Sequence, residues 1–184
     1  NLNSGGCHYT RVTGIWQTVW MEAVDKQGLK SVFATPDIDQ EQLVIYPQFY
    51  NESNDCKLVV TMYDGNKVVA KKTVACSNNS VVVLPVKKMK LWSPESPFLY
   101  DLTYQVVKGE TVVDEVKSYA GMRKVHCANG YFYLNNKPIY LRWVLDQGFY
   151  PDGVWTSPSD EALRHDIEMS MAVGFNGARL HQKV

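Results

Sequence analysis

The chain has 184 residues, 45% hydrophobic and 21% charged, the proportions of an ordinary globular domain. Lysine plus arginine and aspartate plus glutamate number 19 each, so no net charge argues for nucleic acid or for an acidic membrane surface. No apolar run approaches the ~20 residues of a membrane-crossing helix, and neither nucleic acid nor membrane is expected as a partner.

The first segment with a strong pattern is Gly14-Ile15-Trp16-Gln17-Thr18-Val19-Trp20-Met21-Glu22, which predicts a strand. Gly5-Gly6 and Thr13-Gly14 upstream of it are loop-like, and no second strand precedes it as a partner. It is expected to close a preceding β-domain.

Seven β-rich runs follow, centred on 31–34, 42–50, 57–63, 67–76, 81–85, 98–108 and 111–119. Tyr100, Leu102, Tyr104 and Val106 alternate with Asp101, Thr103, Gln105 and Lys108, the period of a strand with one buried and one wet face. Asp64-Gly65-Asn66 and Lys108-Gly109-Glu110 supply the positive φ that tight hairpins need. Short strands at this spacing predict an immunoglobulin-like β-sandwich, although the Cys…Trp…Cys pattern of antibody domains is missing. The alternation turns most aromatic residues of the sandwich inward. That weighs against an exposed platform of the kind a stand-alone carbohydrate-binding or protein-interaction module would use.

Cys7, Cys56, Cys76 and Cys127 show no CxxC spacing and no histidine at ligand spacing, so no metal or cofactor is expected. Cys56 and Cys76 flank one predicted hairpin, a placement open to two readings: neighbours across strands, or two unpaired small core residues. Asn51-Glu52-Ser53 and Asn78-Asn79-Ser80 match the N-glycosylation pattern.

Beyond Gly121 the pattern changes. Tyr131–Leu134 leads through Asn135-Asn136-Lys137-Pro138 into Ile139–Val144, a hairpin followed by a buried strand. A helix opens at Ser157-Pro158-Ser159-Asp160, with Ser157 as cap and Pro158 in its first position. Leu163, Ile167 and Met171 recur every four residues as the face that packs on a sheet, and Gly174 ends the helix. Gly174–Leu180 reads as a second strand. Strand, helix, strand is a βαβ unit, whose parallel sheet needs cover on both faces. The chain thus divides into 1–22, 23–120 and 121–184, and reads as cut at both ends. Its open C-terminal stub predicts disorder, irregular packing or pairing with another copy.

Chemistry in α/β folds gathers beyond the carboxyl ends of parallel strands. That criterion selects Asp146 after the first strand, and Arg179 and His181 at the end of the second, as candidate substrate-binding residues. Trp143, Phe149, Tyr150 and Trp155 surround the intervening loop and suit the apolar face of a sugar ring.

Four ordered segments resemble glycoside hydrolase family 2, the β-galactosidases, β-glucuronidases and β-mannosidases. Gly14–Trp20 is similar to the closing strand of that family's jelly-roll domain. Leu91-Trp92-Ser93-Pro94-Glu95-Ser96-Pro97-Phe98-Leu99-Tyr100 resembles its Trp-Ser-Pro-Glu-Asn-Pro-x-Leu-Tyr signature. Gly121-Met122-Arg123 and Phe132–Ile139 resemble the junction into its catalytic barrel, and Asp166-Ile167 with Gly174–His181 the barrel's first helix and second strand. The chain departs from the family pattern with Asn136 and Trp143 in place of glycine, Asp146-Gln147 in place of a basic-His pair, and His181 one position nearer Arg179.

The resemblance implies a mainly β chain: the end of a jelly-roll, an immunoglobulin-like sandwich, and the βαβ start of a TIM barrel. It also implies a parent enzyme that hydrolyses β-glycosides with retention, using two glutamates ~5 Å apart. In the family both glutamates follow later barrel strands, and the acid/base follows an Asn. The chain's one Asn-Glu, Asn51-Glu52, falls inside the sandwich and reads as a surface loop pair. The chain itself is therefore expected to be inactive, with Asp146, Arg179 and His181 lining a carbohydrate subsite of the parent.

Overall fold

A computed structural model describes residues 13–181; Gly5-Gly6, Cys7 and Gln182 lie outside the described residues. The chain divides into two compact units, 22–139, and 1–21 with 140–184.

The larger unit is a β-sandwich. Its strands are β1 (Leu29–Asp37), β2 (Gln42–Phe49), β3 (Ser53–Asp64), β4 (Lys67–Cys76), β5 (Val82–Pro85), β6 (Tyr100–Lys108) and β7 (Thr111–Ala120). All seven expected runs are strands. They form a three-stranded sheet in the order β1-β2-β5 and a four-stranded sheet in the order β4-β3-β6-β7, each pairing antiparallel. Strands distant in sequence, β2 with β5 and β3 with β6, are neighbours, the crossover pattern of Greek-key sandwiches.

Alternation decides which residues meet between the sheets. Tyr100, Leu102, Tyr104 and Val106 are buried as expected, opposite Leu58, Val60 and Met62 of β3. Leu43, Ile45, Val82 and Leu84 of the other sheet complete the same core. Each such side chain contributes roughly 1.5–3 kcal/mol by leaving water. Burial holds the Tyr104 hydroxyl at a pKa of about 12. Cys56 and Cys76 are buried, unlinked thiols, and burial, then the neighbouring Cys56, pushes Cys76 up to about 11. The backbone N–H of Leu29 donates to the Asp114 carboxylate of β7 at 2.8 Å, tying the edges of the two sheets.

A third sheet in this unit comprises β8 (Val125–Ala128), β9 (Tyr131–Leu134) and β10 (Lys137–Ile139), in the order β10-β9-β8. The hairpin through Asn135-Asn136 is the expected one, and both residues take positive φ (52° and 63°). β8 escaped the sequence reading because Val-His-Cys-Ala is short and carries no alternation.

The smaller unit holds β11 (Trp143–Asp146), helix α1 (Asp160–Ala172) and β12 (Gly177–Leu180), with β11 and β12 parallel. The βαβ unit forms with three corrections. Ile139–Val144 does not make one strand: Ile139 ends β10, and β11 begins at Trp143 and runs to Asp146. Ser159, not Ser157, caps the helix, its Oγ accepting from the N–H of Ala162 at 3.2 Å. Leu163, Ile167 and Met171 do not pack on a sheet, since α1 buries no residue. Two four-residue strands offer too little surface to cover them. Val173 is the C-cap and Gly174, at φ 94°, the left-handed residue after it. Gly174 N–H donates to Met171 and Phe175 N–H to Ser170, the paired bonds of a Schellman ending.

The expected strand at 14–22 is also corrected: the described residues from Thr13 to Lys26 contain no strand. A strand needs a ladder partner, and no sheet among the described residues includes this segment.

Candidate functional site

The family-like segments of the larger unit converge. Trp92 N–H donates to the Met122 carbonyl at 2.9 Å, and the Arg123 guanidinium lies over the Trp92 ring, 4.6 Å from its centre. The Asn135 amide donates to the Trp92 carbonyl at 2.9 Å, and its oxygen accepts from Lys124 N–H. A Cβ on Gly121 would meet Leu99 at 3.3 Å and Trp92 at 3.4 Å, so a side chain there would need these neighbours to give slightly. Ser93 and Ser96 close the Pro94-Glu95 turn with reciprocal backbone bonds of 3.0 and 3.1 Å. These residues lock the β8–β10 sheet onto the sandwich. They are architecture, with no pair of carboxylates among them.

A second lock sits in the β1–β2 turn. Asp39 receives hydrogen bonds from Lys124 and from the Asn136 amide (2.8 Å), and these hold its carboxyl below the usual carboxylate range. Asn51-Glu52 is likewise structural. The Asn51 amide donates to the Lys26 carbonyl at 2.6 Å, and Glu52 accepts from Ser77 Oγ and Asn78 N–H.

The carboxyl ends of β11 and β12 meet in the smaller unit, where His181 N–H donates to the Asp146 carbonyl at 2.9 Å. The register pairs Arg179 with Leu145 and Asp146 with Leu180. Side chains alternate along strands, so Arg179 shares a face with Leu145 and Trp143, and Asp146 belongs to the opposite face. The three candidates thus come to one sheet edge without sharing a face. Asp146 faces the electrostatic neighbourhood of Tyr150, whose hydroxyl donates to Asp166 of α1 at 3.1 Å. Burial and these carboxylates raise the Tyr150 pKa. Arg179 is exposed, and no carboxylate pairs with it among the described residues. It needs no buried partner, because β12 is exposed along its length.

Asn176 sets the entrance to this site. Its side chain accepts from Arg142 N–H and donates to the Tyr140 carbonyl, both at 2.9 Å, and so fixes the segment leading into β11. Trp143 lies against Gly177: a Cβ there would stand 2.5 Å from the indole nitrogen.

The four loop aromatics do not form one platform. Phe149 and Trp155 meet at 5.3 Å, while Trp143 stays on Gly177 and Tyr150 on Asp166. Trp16 joins Trp155 at 6.0 Å, and the Thr156 hydroxyl donates to the Trp16 carbonyl. Sequence reading missed this contact because it assigned Trp16 to a strand.

Comparison with known proteins gives four findings. The model of the family described as "Glycosyl hydrolases family 2" matches residues 29–123. A beta-galactosidase of Pseudoalteromonas haloplanktis is 24% identical over 91% of this chain and 18% of its own length. A putative beta-glucuronidase of Formosa agariphila is 32% identical over 90% of this chain and 17% of its own. The solved β-glucuronidase of Ruminococcus gnavus superposes with a TM-score of 0.72 at 19% identity, covering 82% of this chain and 25% of that one. The chain therefore spans about a fifth of the length of the curated relatives it matches.

Proposed function

The chain belongs to glycosyl hydrolase family 2, and from that premise we propose that it is the linking portion of a retaining β-glycosidase. In this reading residues 1–22 end a jelly-roll domain, 23–120 form the linking sandwich, and 121–184 begin the catalytic barrel. The observation that carries it is the convergence of Trp92, Gly121, Arg123 and Asn135 on one junction, followed directly by a parallel βαβ unit. Family-like residues that build a rigid joint suit a module whose work is positioning.

The chemistry of such an enzyme needs one carboxylic acid to protonate the leaving oxygen and a carboxylate ~5–5.5 Å away to attack the sugar. Glu52 is committed to Ser77 and Asn78, so both groups are assigned to later barrel strands of the longer protein. This chain is then inactive alone. Arg179 and His181, at the carboxyl end of β12, line the sugar subsite; Asp146, on the opposite face from Arg179, contributes through Tyr150 and the loop. The uncovered helix face of Ile167 and Met171 is where other barrel elements, or a second copy of the isolated chain, would sit.

The test is turnover of 4-nitrophenyl β-galactoside and β-glucuronide by the full coding product. Changing Arg179 or His181 to Ala should lower kcat/KM at least tenfold, about 1.4 kcal/mol of transition-state binding. Unchanged turnover in both would remove them from the site.

A further inference from the structure

The outer face of the four-stranded sheet carries a feature that linking the barrel does not require. Tyr63, Asp101 and Tyr119 are cross-strand partners on β3, β6 and β7, so their side chains share one face in a single row. The adjacent row places Thr103 beside Lys117. Tyr63, Asp101, Thr103 and Lys117, with Asn66 from the β3–β4 turn, line a cleft of about 360 Å³, and Tyr119 stands next to it in the row of Asp101.

Three observations point to a ligand. Tyr119 is 67% exposed, and strand neighbours ~4.8 Å apart set the two tyrosines ~10 Å from each other with a carboxylate between them. A lone surface aromatic needs no explanation. Two that flank a charged group, one lining a concavity and the other beside it in the same row, match the pattern of amphipathic binding surfaces. The ion pairs among the described residues are Lys90–Asp64 and Lys124–Asp39, so the Asp101 carboxylate and Lys117 ammonium both remain available. Finally, the cleft lies at the small end of ligand pockets, ~300–1,000 Å³.

We propose that this cleft is an accessory binding site for one or two units of a neutral sugar. Tyrosine rings offer an apolar face for the C–H side of a pyranose. Asp101 accepts hydrogen bonds from its hydroxyls, and Asn66, Thr103 and Lys117 donate to its oxygens. Asp101 and Lys117 offset each other in charge, which favours an uncharged ligand over a uronic acid. The site is independent of the catalytic reading, because it uses no residue beyond the sandwich.

The experiment is an amide-resolved NMR titration of the 184-residue chain with lactose, and separately with glucuronic acid. Lactose should give saturable shifts centred on residues 63–66, 101–103 and 117–119. Tyr119→Ala should weaken that binding about tenfold, the loss of one aromatic contact. Asp101→Asn should weaken it too, with thermal unfolding unchanged in both variants. The proposal is overturned if lactose leaves those amides unmoved up to its solubility limit, if Tyr119→Ala titrates like the parent sequence, or if glucuronic acid binds the cleft more tightly. Shifts confined to 143–147 and 177–181 would also overturn it, while leaving the family-based function intact.

Discussion

Asp39 is the residue on which the junction's pH dependence turns. Lys124 and Asn136 hold its carboxyl below the ordinary value of 3.8, so the lock contributes fully above that value and fades as pH falls through the lower folded one. Asp39→Asn should therefore lower the thermal midpoint at neutral pH, and the difference from the parent sequence should shrink below about pH 4; a constant difference across pH would dissociate Asp39 from the effect. Gly177 makes a steric prediction. Gly177→Ala places a methyl 2.5 Å from the Trp143 indole, an overpacking that costs about 1–3 kcal/mol and should change the near-ultraviolet dichroism of that tryptophan. At this scale legibility was uneven. Asn136 was readable because few residues other than Gly and Asn tolerate its φ of 63°. The grouping of Asp146 with Arg179 was not readable, because a small shift in where a strand begins and ends decides which face each residue takes. β11 runs to Asp146 rather than stopping before it.

The elements differ in how far local chemistry determines them. All seven sandwich strands were legible because alternation and glycine turns agree with the core that forms around Leu58, Leu84 and Leu102. Leu102→Ala should destabilise the sandwich by about 2–5 kcal/mol in chemical denaturation; a loss well under 1 kcal/mol would mean the core does not close as described. Helix α1 was legible in type and misjudged in detail. Two serines precede it, and only the folded backbone shows that Ser159 reaches the Ala162 N–H. Ser159→Ala should cost the helix about 1 kcal/mol in hydrogen-exchange protection over 160–172, and Ser157→Ala a few tenths at most. The segment 14–22 shows the limit of a local signal. Its β-propensity is strong, but a strand exists only where a partner supplies the ladder.

For the molecule as a whole, the two units are unequal in what they bury. The sandwich closes a core of its own, whereas the βαβ unit leaves Ile167 62% and Met171 59% exposed along one helix face. Exposed apolar surface and open strand edges favour association. Sedimentation of the 184-residue chain should show concentration-dependent self-association, and Ile167→Glu with Met171→Glu should abolish it. A sedimentation coefficient independent of concentration in the unaltered chain would contradict that reading. The family was legible from residues that build the joint, since Trp92, Gly121, Arg123 and Asn135 meet in space as they recur in order. The substrate was not, because the chain spans about a fifth of the length of its relatives and its described residues bring no pair of catalytic carboxylates together.

The proposal that the chain joins a sugar-recognising domain to a catalytic barrel is checked by reading the coding sequence past Val184. The expected result is an open frame with further β/α repeats, an Asn-Glu after the fourth barrel strand and a second Glu after the seventh. A stop codon directly after Val184 would contradict it, and would leave the sandwich and its tyrosine-lined cleft as the functional part of the chain.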